Sequence, residues 1–304
     1  GIPSKEGSIY LLQRNDGLQN QSVLYALDRL DGEPRVLLDP NTLSADGTVA
    51  LSSTEVSPDG RWLAYSVSSG GSDWQEWRVR DVQTAQDSSD LVQWNKFSGI
   101  AWAGDSSGFY YGRYAEPSGD KLKAVNENQR VYFHKLGTPQ SADTLVYERP
   151  DQPKWGYQLD TSEDGRYLLL TVSQGTDERN RFFYLDLSQP GSKVVELVPE
   201  LVASYNYLGN DGRVFWFQTN LDAPRNRVIA INLDQPDAKS WRTLIPEADA
   251  TLQSVSYVGG QFIAQYLRDA RSEVKRFDRD GKLLGLVELP GLGAAAGFRG
   301  KGDA

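Results

Sequence analysis

The chain has 304 residues, 39% hydrophobic and 24% charged, with a formal net charge of −9. That is an ordinary globular composition with ample length for a core, and with no basic stripe it argues against nucleic acid as a partner. No run of 18 apolar residues predicts a membrane span, and zero Cys excludes disulfides and thiolate metal sites.

The N-terminal "GIPSKEGSIY" lacks the basic and apolar regions of a signal peptide. Its Gly start suggests a trimmed chain, and the absence of Met suggests an unusual or engineered sequence. A weak repeat then runs through the chain. Its copies are "SKEGSIYLLQR" (4–14), "SPDGRWLAYSV" (57–67), "AGDSSGFYYGR" (103–113), "TSEDGRYLLLTV" (161–172), "LGNDGRVFWFQTN" (208–220) and "YVGGQFIAQYL" (257–267). Each is a polar turn feeding an apolar run rich in aromatic and β-branched residues, the pattern of a tight turn before a buried strand. The turn glycines expected are Gly7, Gly60, Gly108, Gly165, Gly212 and Gly260, spaced by roughly 50 residues as in propeller blades. A strand–turn–strand segment follows each copy, as in "NRFFYLDLSQPGSKVVELVP". There Phe182, Tyr184 and Asp186 should face one way and Phe183, Leu185 and Leu187 the other. The unit is thus a four-stranded antiparallel blade, with outer strands less apolar than inner ones.

Three motifs invite a catalytic or metal reading. "SSGGSDW" (68–74) is Gly-rich but has no Lys and no following helix, so it is not a P-loop. "GDSSG" (104–108) fits the G-x-S-x-G pattern of a nucleophilic serine. That pattern needs a helix after the serine, and here the strand-like "FYYGRY" follows. The one histidine, His134, lies in the strand "RVYFHKL", and nothing marks it as a base, so Ser106 reads as a turn residue. "DRDGK" (278–282) starts like an EF-hand loop but has Leu289 where the last glutamate ligand belongs, and reads as a hairpin turn. No catalytic, metal or cofactor site is expected. The aromatic residues read as packing between blades.

Several blocks resemble the propeller of prolyl oligopeptidases: "GLQNQSVLYALDRLDGEPRVLLDPNTLSADGTVAL" (17–51), "SPDGRWLAYSVSSGGSDWQEWRVRDV" (57–82), "KFSGIAWAGDSSGFYY" (96–111), "YFHKLGTPQSADTLVYE" (132–148) and "DGRYLLLTVSQGTDERNRFFYLDL" (164–187). The likeness covers essentially the whole chain and weakens after residue 190. It implies an all-β fold, a seven-bladed, unclasped propeller. Residues 1–304 would form one domain with six full blades and the start of a seventh in "AAAGFRGKGDA". It further implies a cytosolic serine endopeptidase, with the periplasm left open, that cuts short peptides after proline. Its Ser-Asp-His triad would sit in a separate α/β-hydrolase domain, and nothing here resembles that domain's "GGSNGG" segment. The partners implied are that hydrolase domain and short proline-containing peptides, with no nucleic acid and no membrane.

By the same resemblance Phe97, within "KFSGIAW", matches a Phe that lines an apolar substrate subsite; the strand should be the innermost of its blade, with Phe97 partly exposed. Gly156, Ser173 and Thr176 stand where the animal enzymes have Met, Arg and Cys, so those roles are not carried over. The leading reading is a non-catalytic gating propeller of such a peptidase. The alternatives are a stand-alone peptide- or protein-binding propeller and an autonomous hydrolase using Ser106.

Overall fold

The structure, a computed structural model, describes residues 1–119, 125–268, 271–289 and 295–302. Among these residues the chain is all-β apart from three short 3-10 turns. Its strands form six four-stranded antiparallel sheets, each made of consecutive strands, as a β-propeller domain requires. The chain divides into two compact units, residues 1–175 with 185–194, and residues 176–184 with 195–304.

In the first unit, β1 (Ser4–Glu6), β2 (Ile9–Arg14), β3 (Val23–Leu27) and β4 (Arg35–Leu38) make the first sheet. β5 (Val49–Val56), β6 (Trp62–Ser69), β7 (Gln75–Asp81) and β8 (Asp87–Asn95) make the second. β9 (Ile100–Trp102), β10 (Gly108–Arg113), β11 (Arg130–Lys135) and β12 (Thr144–Tyr147) make the third, and β13 (Trp155–Thr161) with β14 (Tyr167–Gln174) opens the fourth. Successive sheets pack face to face. Leu24, Leu37 and Leu38 meet Leu63, Tyr65 and Val67 of the second sheet. Trp77, Val79 and Val92 meet Trp102, Phe109 and Tyr111 of the third. Burying such side chains, at roughly 25 cal/mol per Å² of apolar surface, is the main driving term.

The repeated turns touch one another. Ser57 and Ser162 each bond an Asp two residues on, Asp59 and Asp164, at 2.5 Å, and that Asp accepts the N–H of Arg61 or Arg166 at 3.0 Å. Gly165, at φ 70°, lies so close to Gly104 that a Cβ there would sit 3.1 Å from the Gly104 Cα. In the third copy the left-handed place is held by Ser106 (φ 59°), not by Gly108 as the repeat suggested. Gly108 opens β10 instead, against the carbonyl of His134.

The second unit holds β16 (Val195–Val198), then β17 (Tyr205–Asp211), β18 (Val214–Thr219), β19 (Arg227–Asn232) and β20 (Arg242–Ile245) as the fifth sheet. β21 (Thr251–Val258), β22 (Gln261–Arg268), β23 (Arg271–Phe277) and β24 (Leu283–Leu286) form the sixth. Its core joins Trp216, Val228 and Ile245 to Leu252, Phe262 and Tyr266. β15 (Arg181–Asp186), between β14 and β16 in the fourth sheet, buries Phe182, Phe183 and Tyr184 together, so both of its faces are covered rather than one. The expected gradient is met in some sheets and not in others. In the first two sheets β1 and β5 are at least as solvated as β4 and β8, because both are sheet edges and the middle two strands carry the core, whereas in the third sheet β9 is wholly buried and β12 is not. The expected start of a seventh blade lies partly at 290–294 and 303–304, outside the described residues.

Candidate functional site

Phe97 is not on a strand. Only Ile100–Trp102 of "KFSGIAW" is extended as β9, and Phe97 sits in the link from β8. Asn95 causes this. Fully buried, it donates to the Gly112 carbonyl at 2.8 Å and to Ser98 Oγ at 3.1 Å, and accepts from Trp77 Nε1 at 3.3 Å. Those bonds fold the link back onto β10. Trp94 (φ 64°) and Phe97 (φ 55°) flank the turn in the left-handed region, which costs an L-residue about 1 kcal/mol or more each. The buried partners maintain that strain.

The link is pinned from other elements too. Gln129, just before β11, donates to the Lys96 carbonyl at 3.2 Å and accepts the Tyr157 N–H at 2.7 Å. Gln158 on β13 donates to the Phe97 carbonyl. The Lys96 ammonium bonds Asn126 Oδ1 at 3.1 Å and lies 4.5 Å from the Trp74 ring centre and 5.4 Å from that of Phe97. Trp74 meets Trp94 and Tyr114 edge-on at 5.8 and 6.1 Å. The result is a rigid aromatic plate with a cation behind it. Phe97 is 53% exposed on that plate. Trp74 and Trp94 also border a cleft of about 540 Å³, with Glu76, Arg78 and Gln93 on its rim. Gly156 on β13 adjoins Gln129 and therefore the same patch, with Ser173 its register partner on β14.

Ser106 and His134 are spoken for separately. Ser106 is buried in the β9–β10 turn, and its Oγ accepts the Asp59 N–H at 3.2 Å. His134, with no solvent exposure, places Nδ1 2.7 Å from Asp143 Oδ1 and Nε2 3.0 Å from Asp90 Oδ1. Asp278 closes the β23–β24 turn by accepting the N–H groups of Asp280 and Lys282 at 3.0 and 2.8 Å. Among the described residues no group of three or more acidic or histidine side chains is placed to hold a metal.

The profile of the "Prolyl oligopeptidase, N-terminal beta-propeller domain" matches residues 1–304. The chain belongs to this family. A prolyl endopeptidase of Elizabethkingia meningoseptica is 36% identical over 300 residues, covering 98% of this chain and 42% of the relative. A dual function macrocyclase-peptidase of Galerina marginata is 36% identical over 308 residues, covering 93% of the chain and 42% of the relative. The chain therefore spans less than half the length of the curated relatives it matches. Among solved structures, one from a study of two prolyl endopeptidases superposes with TM-score 0.87 at 38% identity, over 99% of this chain and 43% of that one. Prolyl oligopeptidase B of Galerina marginata, bound to a 35mer hydrolysis and macrocyclization substrate, gives TM-score 0.86 at 33% identity, over 98% and 44%.

Sequence reading singled out Phe97 alone in this prolyl oligopeptidase propeller. It missed Trp74, Asn95, Lys96 and Gln129, which hold Phe97 in place. Their partners lie elsewhere in the chain, up to 40 residues away, from Trp74 to Tyr114. The one local signal was "WNKF", where two polar residues interrupt an apolar strand end.

Proposed function

We propose that this propeller is the non-catalytic domain that filters and gates substrate for a prolyl oligopeptidase-type serine endopeptidase acting on short peptides after proline. The carrying observation is the family match over all 304 residues. The half-exposed Phe97 on its braced aromatic plate supports an apolar subsite wall. The finer architecture belongs to this reading: seven blades without a clasp, six of them here, partnered by an α/β-hydrolase domain. A solved relative is described in terms of inter-domain dynamics in catalysis and specificity, which suits a domain that acts by moving against a triad it does not carry.

The test joins this propeller to a family peptidase domain. The joined enzyme should cleave a short proline peptide and spare a folded protein bearing the same sequence, while the propeller alone cleaves neither. Equal cleavage of both substrates by the joined enzyme would end the gating reading. Hydrolysis by the propeller alone that Ser106→Ala abolishes would revive the hydrolase reading.

A further inference from the structure

His134 has a part that neither the fold nor the substrate patch uses. A carboxylate only accepts hydrogen bonds, and each ring nitrogen of His134 faces one, Asp143 at 2.7 Å and Asp90 at 3.0 Å. Both nitrogens must therefore donate, so the ring is a buried imidazolium. The two carboxylates come from different sheets: Asp90 lies on β8 of the second, Asp143 just before β12 of the third. Asp90 also accepts the Gly137 N–H and the Ser88 hydroxyl, both at 2.6 Å, and Asp143 accepts the Tyr111 hydroxyl at 2.7 Å. Gln140, from the third sheet's side, clamps β8 a second time, accepting the Gln93 N–H at 3.1 Å and donating to its carbonyl at 2.9 Å. Beyond Gln93, β8 ends at Asn95 and delivers the Lys96–Phe97 link.

We propose that protonated His134 is a latch that fixes β8, and with it the Phe97 link, against the third sheet, and that loss of this single proton releases both. Neutral histidine keeps one N–H. One of the two buried carboxylates then faces a bare ring nitrogen, and two negative charges share the seam with no cation between them.

The groups that face His134 leave it as the one that changes charge near neutrality. Burial opposes the charged ring, but hydrogen bonds and charge from Asp143 and Asp90 outweigh it and hold its pKa up to about 9 from an ordinary 6.5. Burial also works to raise Asp90, yet the bonds from His134, Ser88 and Gly137 hold it below its ordinary value. Burial pushes the Tyr111 hydroxyl further above its own range. Because the raised pKa belongs to the latched form, the latch is complete below pH 6.5. Between there and about pH 9 the opened form gives up its proton first, and opening grows about tenfold per pH unit.

This is the chain's one histidine, so its ring ¹⁵N and ¹H signals need no assignment. In the unmodified chain they should report a ring protonated on both nitrogens at pH 7. Amide exchange protection of Lys96–Ser98 should fall about tenfold per pH unit between about 6.5 and 9, and level off on either side. Protection of Phe262–Tyr266 on β22 should stay flat. His134→Gln, which keeps a donor but not the charge, should show low and pH-independent protection at Lys96–Ser98. A neutral ring at pH 7, or flat protection at Lys96–Ser98 in the unmodified chain, overturns the latch. A matching step on β22 overturns it as well, since that would mark global loss of stability. If His134→Gln fails to fold, the unmodified chain decides alone.

Discussion

At Gly108 a single added carbon would lie 2.1 Å from the backbone carbonyl oxygen of His134, and β10 and β11 pair at that point. Backbone cannot swing aside as a flexible side chain can, so Gly108→Ala should cost about 3 kcal/mol, read by chemical denaturation. Ser106 makes a finer contrast. Ser106→Ala keeps the left-handed strain and loses the bond to Asp59, a loss of about 1 kcal/mol. Ser106→Gly loses the same bond but relieves about 1 kcal/mol of strain, and should be near neutral. If both variants cost the same, the turn account of Ser106 is wrong. Phe97→Ala removes a side chain that is only half covered, so its stability cost should stay under about 1.5 kcal/mol. In the joined enzyme it should weaken substrates with an apolar group at that subsite by about 1–3 kcal/mol, seen mainly in KM. Asn95→Ala should do more harm to the fold, about 3 kcal/mol, by stranding the Gly112 carbonyl and Trp77 Nε1 in the interior.

Among elements, the fourth strand of the sixth sheet departs from three of its counterparts. β4, β16 and β20 bury their last two residues, Leu37–Leu38, Leu197–Val198 and Leu244–Ile245. On β24, Leu283, Leu284 and Leu286 are 52%, 45% and 60% exposed. An apolar edge strand with free N–H and C=O groups invites pairing with another chain. Sedimentation should show concentration-dependent association of this chain, and Leu286→Lys should reduce it while changing stability by less than about 0.5 kcal/mol. A monomer at every concentration would show that the leucines are simply solvated. The repeat also has an ionic trace. The arginine after the turn glycine reaches the Asp near the end of the third strand: Arg61 with Asp81 at 3.8 Å, Arg166 with Asp186 at 2.9 Å, Arg213 with Asp234 at 2.8 Å. Arg61–Asp81 and Arg213–Asp234 are substantially solvated and contribute little energy, whereas the Asp186 carboxylate is buried beside Arg166; all three mark corresponding positions in three sheets.

For the whole molecule the titrating groups define a stability window. Burial works to raise Asp59, Asp87 and Asp90, but hydrogen bonds from Ser57, Arg80 and His134 outweigh it and hold all three below their ordinary value of 3.8. Their contribution is present above that pH and is lost as pH falls through the lower folded values. Other groups act from the other side: burial raises Asp160, and two more are shifted further. Glu55 is reached by solvent, yet its crowded surroundings first, and the charges of Asp160 and Glu6 second, push it up to about 7. His134 is held up to about 9. Their contributions are complete below 4.5 and 6.5, and are lost as pH climbs through about 7 and about 9. The melting temperature should therefore peak near pH 5 and decline on both flanks. Glu55→Gln should flatten the fall between pH 5 and 7. A peak at pH 8 or above would contradict these assignments.

The six copies, their spacing and their turn residues were legible because each is local: a turn and the strand after it lie within about a dozen residues. All-β class, four-stranded units and family follow from that periodicity and from blocks such as 17–51. The position of Phe97 was half legible. Its exposure was expected, but its place on a link was not, because "KFSGIAW" has the composition of a strand and the bend comes from the Asn95 side chain reaching β10. The exchange of roles between Ser106 and Gly108 was hidden for a similar reason, since only the closeness of β11 shows which residue must lack a Cβ. His134 gave no signal at all, because Asp90, 44 residues away, meets it only when two sheets pack, and Asp143, 9 residues away, only when β11 and β12 pair. The sequence by itself determined the repeating local units, whose turns and hydrophobic alternation need only neighbouring residues. Tertiary structure alone decided which polar groups are buried together, because a buried charge or strained turn is stable only where distant strands supply its partners.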